Sequence, residues 1–282
     1  MNRSEIRNPN RSGTGSVQDN FRRKRFGFRF SAFFRLSVFG FRICCTLALT
    51  VLVVLPSSAA SPDVLFRQGS EAYHAADYTS AANAFQKAGI LRPASGTFQN
   101  LGNAEWERGN SGTAILAWEQ ALWLDPFNAA ACNNLRFARK TAQLEAPELA
   151  WYEVVSTWLP VNWWAWISGL SFWLAVAMGT LPGIFRLRKA VWHQAIAAFG
   201  FAVFLLSVPA HLGVATRSRV GFVLQKDTPL RLTPTEDAQF LTRLAAGEPA
   251  RLERVRQKFF LIRTSRSLGW IRRDQFGLTC PR

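Results

Sequence analysis

The chain has 282 residues, 49% of them hydrophobic and only 18% charged, with a formal net charge of +16. That is too apolar for an ordinary water-soluble domain and far too apolar for a chain disordered throughout. Residues 1–60 carry ten basic and two acidic side chains and residues 217–282 carry fourteen and six, against seven and nine in 61–150; no basic recognition face goes with this charge, so no nucleic-acid partner is expected.

Residues 1–20 are polar, lack a hydrophobic period and read as disordered. A basic stretch follows (Arg22, Arg23, Lys24, Arg25, Arg29, Arg35, Arg42), then an apolar run over 43–55 and the small residues Ser57, Ser58, Ala59 and Ala60. Basic, apolar and small-residue segments in that order form a secretory signal, cleaved after Ala60. The competing reading is a retained anchor helix from about Leu36, which must bury Arg42 at roughly 2.5–3.5 kcal/mol. Either way, residue 61 onward is delivered outside.

Shifting residues 69–93 by 33 aligns Gly69 with Gly102, Tyr73 with Trp106, Asp77 with Asn110, Ala81 with Ala114, Phe85 with Trp118, and Pro93 with Pro126. Self-similarity at this period is the mark of stacked supersecondary units. Each unit reads as a helical hairpin turning at 75–78 or 108–111. Ala81 and Ala114 are placed at the helix crossing, Phe85 and Trp118 between successive units, and each proline ends a second helix. A further helix over 129–142, N-capped by Asn128, turns Cys132, Leu135 and Ala138 inward and leaves Arg136, Arg139 and Lys140 more exposed.

These residues resemble the tetratricopeptide repeat, with a spacing of 33 in place of the usual 34. The resemblance implies a concave groove along the first helices that binds extended peptides or partner helices. On this chain the groove would include Phe66, Ser70, Tyr73 and His74, then Gln99, Asn103, Trp106 and Glu107. Asn103 matches an asparagine that some members use to clamp a C-terminal carboxylate. Phe66 stands where that clamp wants a lysine, which leaves general peptide binding. Core packing is the competing role for Tyr73 and Trp106. Glu105 and Glu107 read as a solvated pair.

No charged residue occurs over 154–185 or over 190–216. Segments 164–184 and 190–212, at about 1.5 Å per residue, each cover the roughly 30 Å of a hydrocarbon core and read as a transmembrane hairpin. The loop between them holds Arg186, Arg188 and Lys189, while the approach to the first span holds Glu145, Glu148 and Glu153. The positive-inside rule puts that loop in the cytoplasm and residues 61–142 outside. Trp151, Trp158, Trp163, Trp164 and Trp166 crowd the outer end as an interfacial belt. Ser171, Ala175, Gly179 and Gly183 make a small-residue stripe suited to helix packing, and His193 and His211 read as interfacial. Arg217, Arg219, Lys226 and Arg231 follow the second span on the side assigned outside, against the charge rule. A folded domain constrains topology less than a short loop, so the carboxyl-terminal part stays outside.

From Arg219 short β-type runs (VGFVL, PLRL, FFLIR, GWIR) alternate with turn signals at Lys226–Asp227, Pro234, Gly247–Glu248 and Ser265–Ser267. Five or six strands in this length make a small all-β barrel. Thr228 to Arg231, Leu244 to Glu248 and Leu268 to Ile271 resemble the motifs of the bacterial SH3-like (SH3b) domain. On that resemblance Trp270 lines a ligand face, with barrel core as its competing place, and the basic charge favours an anionic partner.

No metal-ligand spacing, phosphate-binding loop or nucleophile elbow occurs, so neither an enzyme nor a cofactor is expected. Cys132 and Cys280 remain if the signal leaves with Cys44 and Cys45, and their pairing is open. The order is signal (1–60), tetratricopeptide hairpins with a capping helix (61–142), linker (143–163), paired spans (164–212) and SH3-like barrel (217–282). This order resembles the BatE-type proteins of bacterial aerotolerance operons. The resemblance implies an envelope scaffold in the inner membrane, beside von Willebrand-type membrane proteins and a MoxR-like ATPase. Peptidoglycan binding, with recruitment of a partner enzyme, is the alternative.

Overall fold

The computed structural model describes residues 61–185 and 191–281. The signal segment and the basic loop residues Arg186, Arg188 and Lys189 lie outside the described residues. Five helices come first: α1 (Pro62–His74), α2 (Tyr78–Leu91), α3 (Ser95–Glu107), α4 (Ser111–Leu124) and α5 (Ala129–Ala142). Side-chain caps start three of them: Ser61 accepts from the Val64 N–H, Asp77 from Ser80 and Asn128 from Ala131, satisfying amides that have no partner inside the helix.

The period of 33 survives as geometry. Asp77 N–H donates to the Ala72 carbonyl and, one period on, Asn110 N–H donates to the Glu105 carbonyl, both at 2.9 Å. Both turns reverse at a left-handed residue, Ala76 at φ 60° and Gly109 at φ 81°. A Cβ built on Gly69 would lie 2.8 Å from the Phe85 ring, and one on Gly102 would lie 2.5 Å from the Trp118 indole. Phe85 and Trp118 therefore pack against the glycine of their own unit. Between the units the Phe98 ring packs against Gly89. Ala81, Ala104, Ala114 and Ala121 are wholly buried at the helix crossings. The fifth helix buries Leu135 and Ala138 as expected, but Ala131 takes the buried place expected of Cys132, which is half-buried, and Arg139 is half-buried too, ion-paired with Glu119 of α4.

Helix α4 is apolar on more than one face, and both are covered. One face packs on α3. On the other, Gly112 abuts the Val223 carbonyl, where a Cβ would come within 2.6 Å, and Gln120 Nε2 donates to the Leu278 carbonyl at 3.1 Å. Val220 and Phe222 of the first strand belong to the same hydrophobic cluster as the helical core. A helix with no polar face is a buried helix, and here a β-domain buries it.

A short helix α6 (Trp151–Ser156) leads into α7 (Val161–Ile184), which is followed by α8 (Val191–Arg217). The last two, at 24 and 27 residues, are long and apolar enough to cross a membrane; the second runs past the expected limit at 212 to Arg217. They pack antiparallel. Gly200 lies against the Ser171 carbonyl, the Phe172 and Phe204 rings meet at 51° with centroids 5.3 Å apart, and His211 Nε2 is 3.0 Å from Ser168 Oγ. Ser171 and Ala175 meet α8, whereas among the described residues nothing lies within 4 Å of a Cβ on Gly179 or Gly183. Among the described residues the expected stripe therefore packs along only half its length. The antiparallel pairing returns the chain to the end of the hairpin at which it entered.

Seven strands follow, more than the five or six expected: β1 (Val220–Val223), β2 (Thr228–Arg231), β3 (Phe240–Leu244), β4 (Pro249–Arg256), β5 (Phe259–Arg263), β6 (Leu268–Arg272) and β7 (Phe276–Leu278). They form one antiparallel sheet in the order β3-β2-β6-β5-β4-β1-β7. Leu244 from one edge shares a core with Val223 and Phe276 from the other, around Leu230, Ile262 and Ile271, so the sheet is rolled on itself. Register shifts in β2–β3 and β4–β5 mark bulges, which let a sheet curl.

Candidate interaction surface and domain junction

The expected groove residues divide by what they already bind. Phe66 sits edge-on to Phe85 at 5.5 Å and Tyr73 edge-on to Tyr78 at 5.3 Å, each half-buried. Burial, with the nearby Glu107 carboxylate, pushes the Tyr73 hydroxyl pKa up. The Ser70 hydroxyl donates to the Phe66 carbonyl. Asn103 Oδ1 accepts from Trp118 Nε1 at 3.0 Å and from Asn134 Nδ2 at 2.8 Å, so it ties α3 to α4 and α5. Trp106 lies between Trp118 and Phe137, with centroids 5.8 and 5.9 Å away. Gln99 is half-buried, and His74 and Glu107 are exposed.

Two residues of α5, Asn134 and Phe137, thus extend this face, although sequence reasoning gave that helix only a shielding role. Phe137 is 61% exposed, which is the signal that could have found it: a large aromatic among the arginines of a cap. Glu105, expected on a solvated face, is buried. Its carboxylate accepts from Arg108 at 2.8 Å and from Asn110 at 2.6 Å and so holds the turn of the second unit. On the β-domain, Gly269 and Ile271 point into the core, and half-buried Trp270 alternates to the opposite face.

The second region is the junction of the helical units, the apolar hairpin and the β-domain. Glu153 of α6 has a completely buried side chain, and its two oxygens take Arg251 Nη1 and Nη2 of β4 at 2.7 and 2.9 Å. The Ala150 N–H donates to the same carboxylate at 2.9 Å. Burial alone would raise this carboxyl; the Arg251 hydrogen bonds, helped by the Thr216 hydroxyl, the Ala150 N–H and the charge of Arg251, outweigh it and hold the pKa at about 2. Bidentate guanidinium–carboxylate pairing fixes orientation as well as distance. Sequence reasoning counted Glu153 only among the acidic residues on the approach to the first span; the pairing of residues so distant in sequence carries no local signal.

Beside this pair, Arg217 ends α8 with its guanidinium 4.5 Å from the Trp123 ring centroid and only 8% of its surface exposed. Glu119, bonded to Arg139, faces the same space; burial raises its pKa against the pull of Arg139 and Arg217. Cys132 and Cys280 are both free thiols. Among the described residues no group of His, Cys, Asp and Glu side chains could hold a metal ion. Compared with protein-family models and with curated proteins, the chain matches none.

Proposed function

We propose that this chain is a membrane-anchored scaffold whose helical repeat units and β-domain bind protein partners side by side, and not an enzyme. The observation that carries the reading is the pairing of an antiparallel apolar hairpin with a direct α4–β1 contact. Two long apolar helices would hold the chain in a bilayer, and both lobes emerge at one end of them. Modules held together in this way act at high effective concentration on a shared or bridged partner.

Finer assignments rest on pattern. The repeated turn bonds and the Gly69–Phe85 and Gly102–Trp118 packing support tetratricopeptide units, and the rolled seven-stranded sheet supports an SH3-like barrel. The basic loop at 186–189 and the signal-like start support an inner-membrane location with both lobes outside. The order of modules supports a role of the BatE kind, beside von Willebrand-type membrane proteins and a MoxR-like ATPase, in an aerotolerance or stress complex.

The test is photocrosslinking of the full chain in native membranes, with the crosslinker placed at Tyr73 in one preparation and at Trp270 in another, followed by mass spectrometry. The same protein, or two members of one complex, captured from both positions supports the scaffold. Capture of nothing but lipid from both positions removes it. Saturable retention of the full-length protein on isolated wall polymer, abolished by Trp270→Ala, would replace it with a wall-binding function.

A further inference from the structure

The cavity next to Arg217 has a chemistry that holding two modules together does not require. It measures about 570 Å³, within the range of small-ligand sites. Its wall carries three guanidinium groups, Arg136, Arg139 and Arg217, against one carboxylate, Glu119. Glu119 is already bonded to Arg139. Among the described residues Arg136 reaches only the Cys132 sulfur, at 3.8 Å. Arg217 keeps Nε and Nη2 buried and without a hydrogen-bond partner among the described residues. Trp123 offers it a ring face, which receives the positive charge but accepts none of the in-plane N–H donors.

A buried charged donor is costly unless something accepts from it. The rest of the wall is in large part apolar, with Leu122, Trp123, Leu135 and Leu149. Position adds a further constraint. Arg217 ends α8 and Thr157, also on the wall, follows α6 in the short link to α7, so the cavity lies where the apolar hairpin stops. At a bilayer that is the depth of charged headgroups, with hydrocarbon beginning alongside.

We propose that this cavity binds the anionic head of an amphiphile, a carboxylate or phosphate with hydrocarbon attached, held in the fork of Arg217 with Arg136 beside it. A guanidinium fork matches either group bidentately. The source is an anionic phospholipid of the bilayer or a free fatty acid, and the two can be told apart.

The full-length protein is purified in detergent, and its thermal unfolding is followed as phosphatidylglycerol, phosphatidylcholine or oleate is titrated in, with native mass spectrometry of each mixture. Phosphatidylglycerol or oleate should raise the unfolding midpoint saturably, with one copy retained per chain, and phosphatidylcholine should not. Arg217→Gln should weaken the effect about tenfold or more, the loss of one charge-assisted hydrogen bond. Arg136→Gln alters an exposed side chain that the fold does not need, and should weaken it severalfold. Saturation by phosphatidylglycerol alone assigns the bilayer as source; saturation by oleate assigns a free acid. No saturable shift with either anion, an equal shift with phosphatidylcholine, or unchanged binding in Arg136→Gln together with a folded Arg217→Gln overturns the proposal.

Discussion

Replacing Glu153 by Gln removes the charge from the pair that joins the approach to the apolar hairpin to β4. Breaking a buried pair from one side costs about 3–5 kcal/mol. The Arg251 side chain is 31% exposed and recovers some water, which puts this case near the lower end. Titration gives a second route to the same figure. The carboxyl falls from 4.5 to about 2 on folding, and at 1.36 kcal/mol per pKa unit this is about 3 kcal/mol. For a unit of this size that is a fall in Tm of about 6–12 °C, read by tryptophan fluorescence on full-length protein in detergent at pH 7. Because the folded pKa lies below the unfolded one, the stabilisation is complete above about 4.5 and is lost as the pH falls toward 2. The gap between wild type and variant should therefore be constant from pH 8 to 6 and close between about 4.5 and 2. A fall of less than about 2 °C at pH 7, or a gap that persists unchanged to pH 2, refutes the reasoning. The double substitution Glu153→Leu with Arg251→Met should recover most of the loss, since neither charge is then left alone.

Further outcomes follow from local geometry. Ala76 holds a left-handed conformation that Gly109 adopts freely in the equivalent turn, so Ala76→Gly should stabilise the protein by about 1 kcal/mol, seen as a higher unfolding midpoint. Gly200→Val should pry apart the apolar hairpin, because its Cβ would lie 2.9 Å from the Ser171 carbonyl and 3.3 Å from the Ala175 nitrogen, whereas Gly179→Val should leave the hairpin intact. Disulfide trapping between cysteines introduced at Phe172 and Phe204 reads the difference. Asn103→Ala orphans the Trp118 indole N–H and the Asn134 amide and should cost about 1–3 kcal/mol; Glu107→Gln, exposed on the same face, should cost nothing measurable by the same denaturation assay.

What could be read from the chain was whatever repeats along it or stays local. The helix starts at Tyr78 and Ala129 coincide with capping residues one position earlier, and the turns at Asp227 and Gly247 with left-handed backbone. The two apolar helices needed only absence of charge over enough length. Strands β3 and β4 were hidden because their exposed residues interrupt the hydrophobic alternation: β3 is exposed over Phe240–Arg243, and β4 carries Arg254 and Arg256 outward. Of the candidate groove, the helix positions were legible, but the use of Asn103 as an internal tie was not, since it depends on Asn134 arriving from another helix.

Periodicity, caps and hydrophobic length are set by neighbours within a few turns, so the amino-acid sequence alone determined two helical units of one pattern, a capping helix, a long apolar pair and a β-rich end. Only the tertiary structure decided that α4 is covered on its second face by β1, that Glu153 finds Arg251, and that Arg217 is left beside a cavity with donors unanswered among the described residues. Those outcomes depend on contacts between segments about a hundred residues apart for Glu153 and Arg251 and for Arg217 and Trp123. Burial and charge pairing at such distances are properties of the packed molecule, where the energy of one side chain is set by atoms that no local stretch of chain contains.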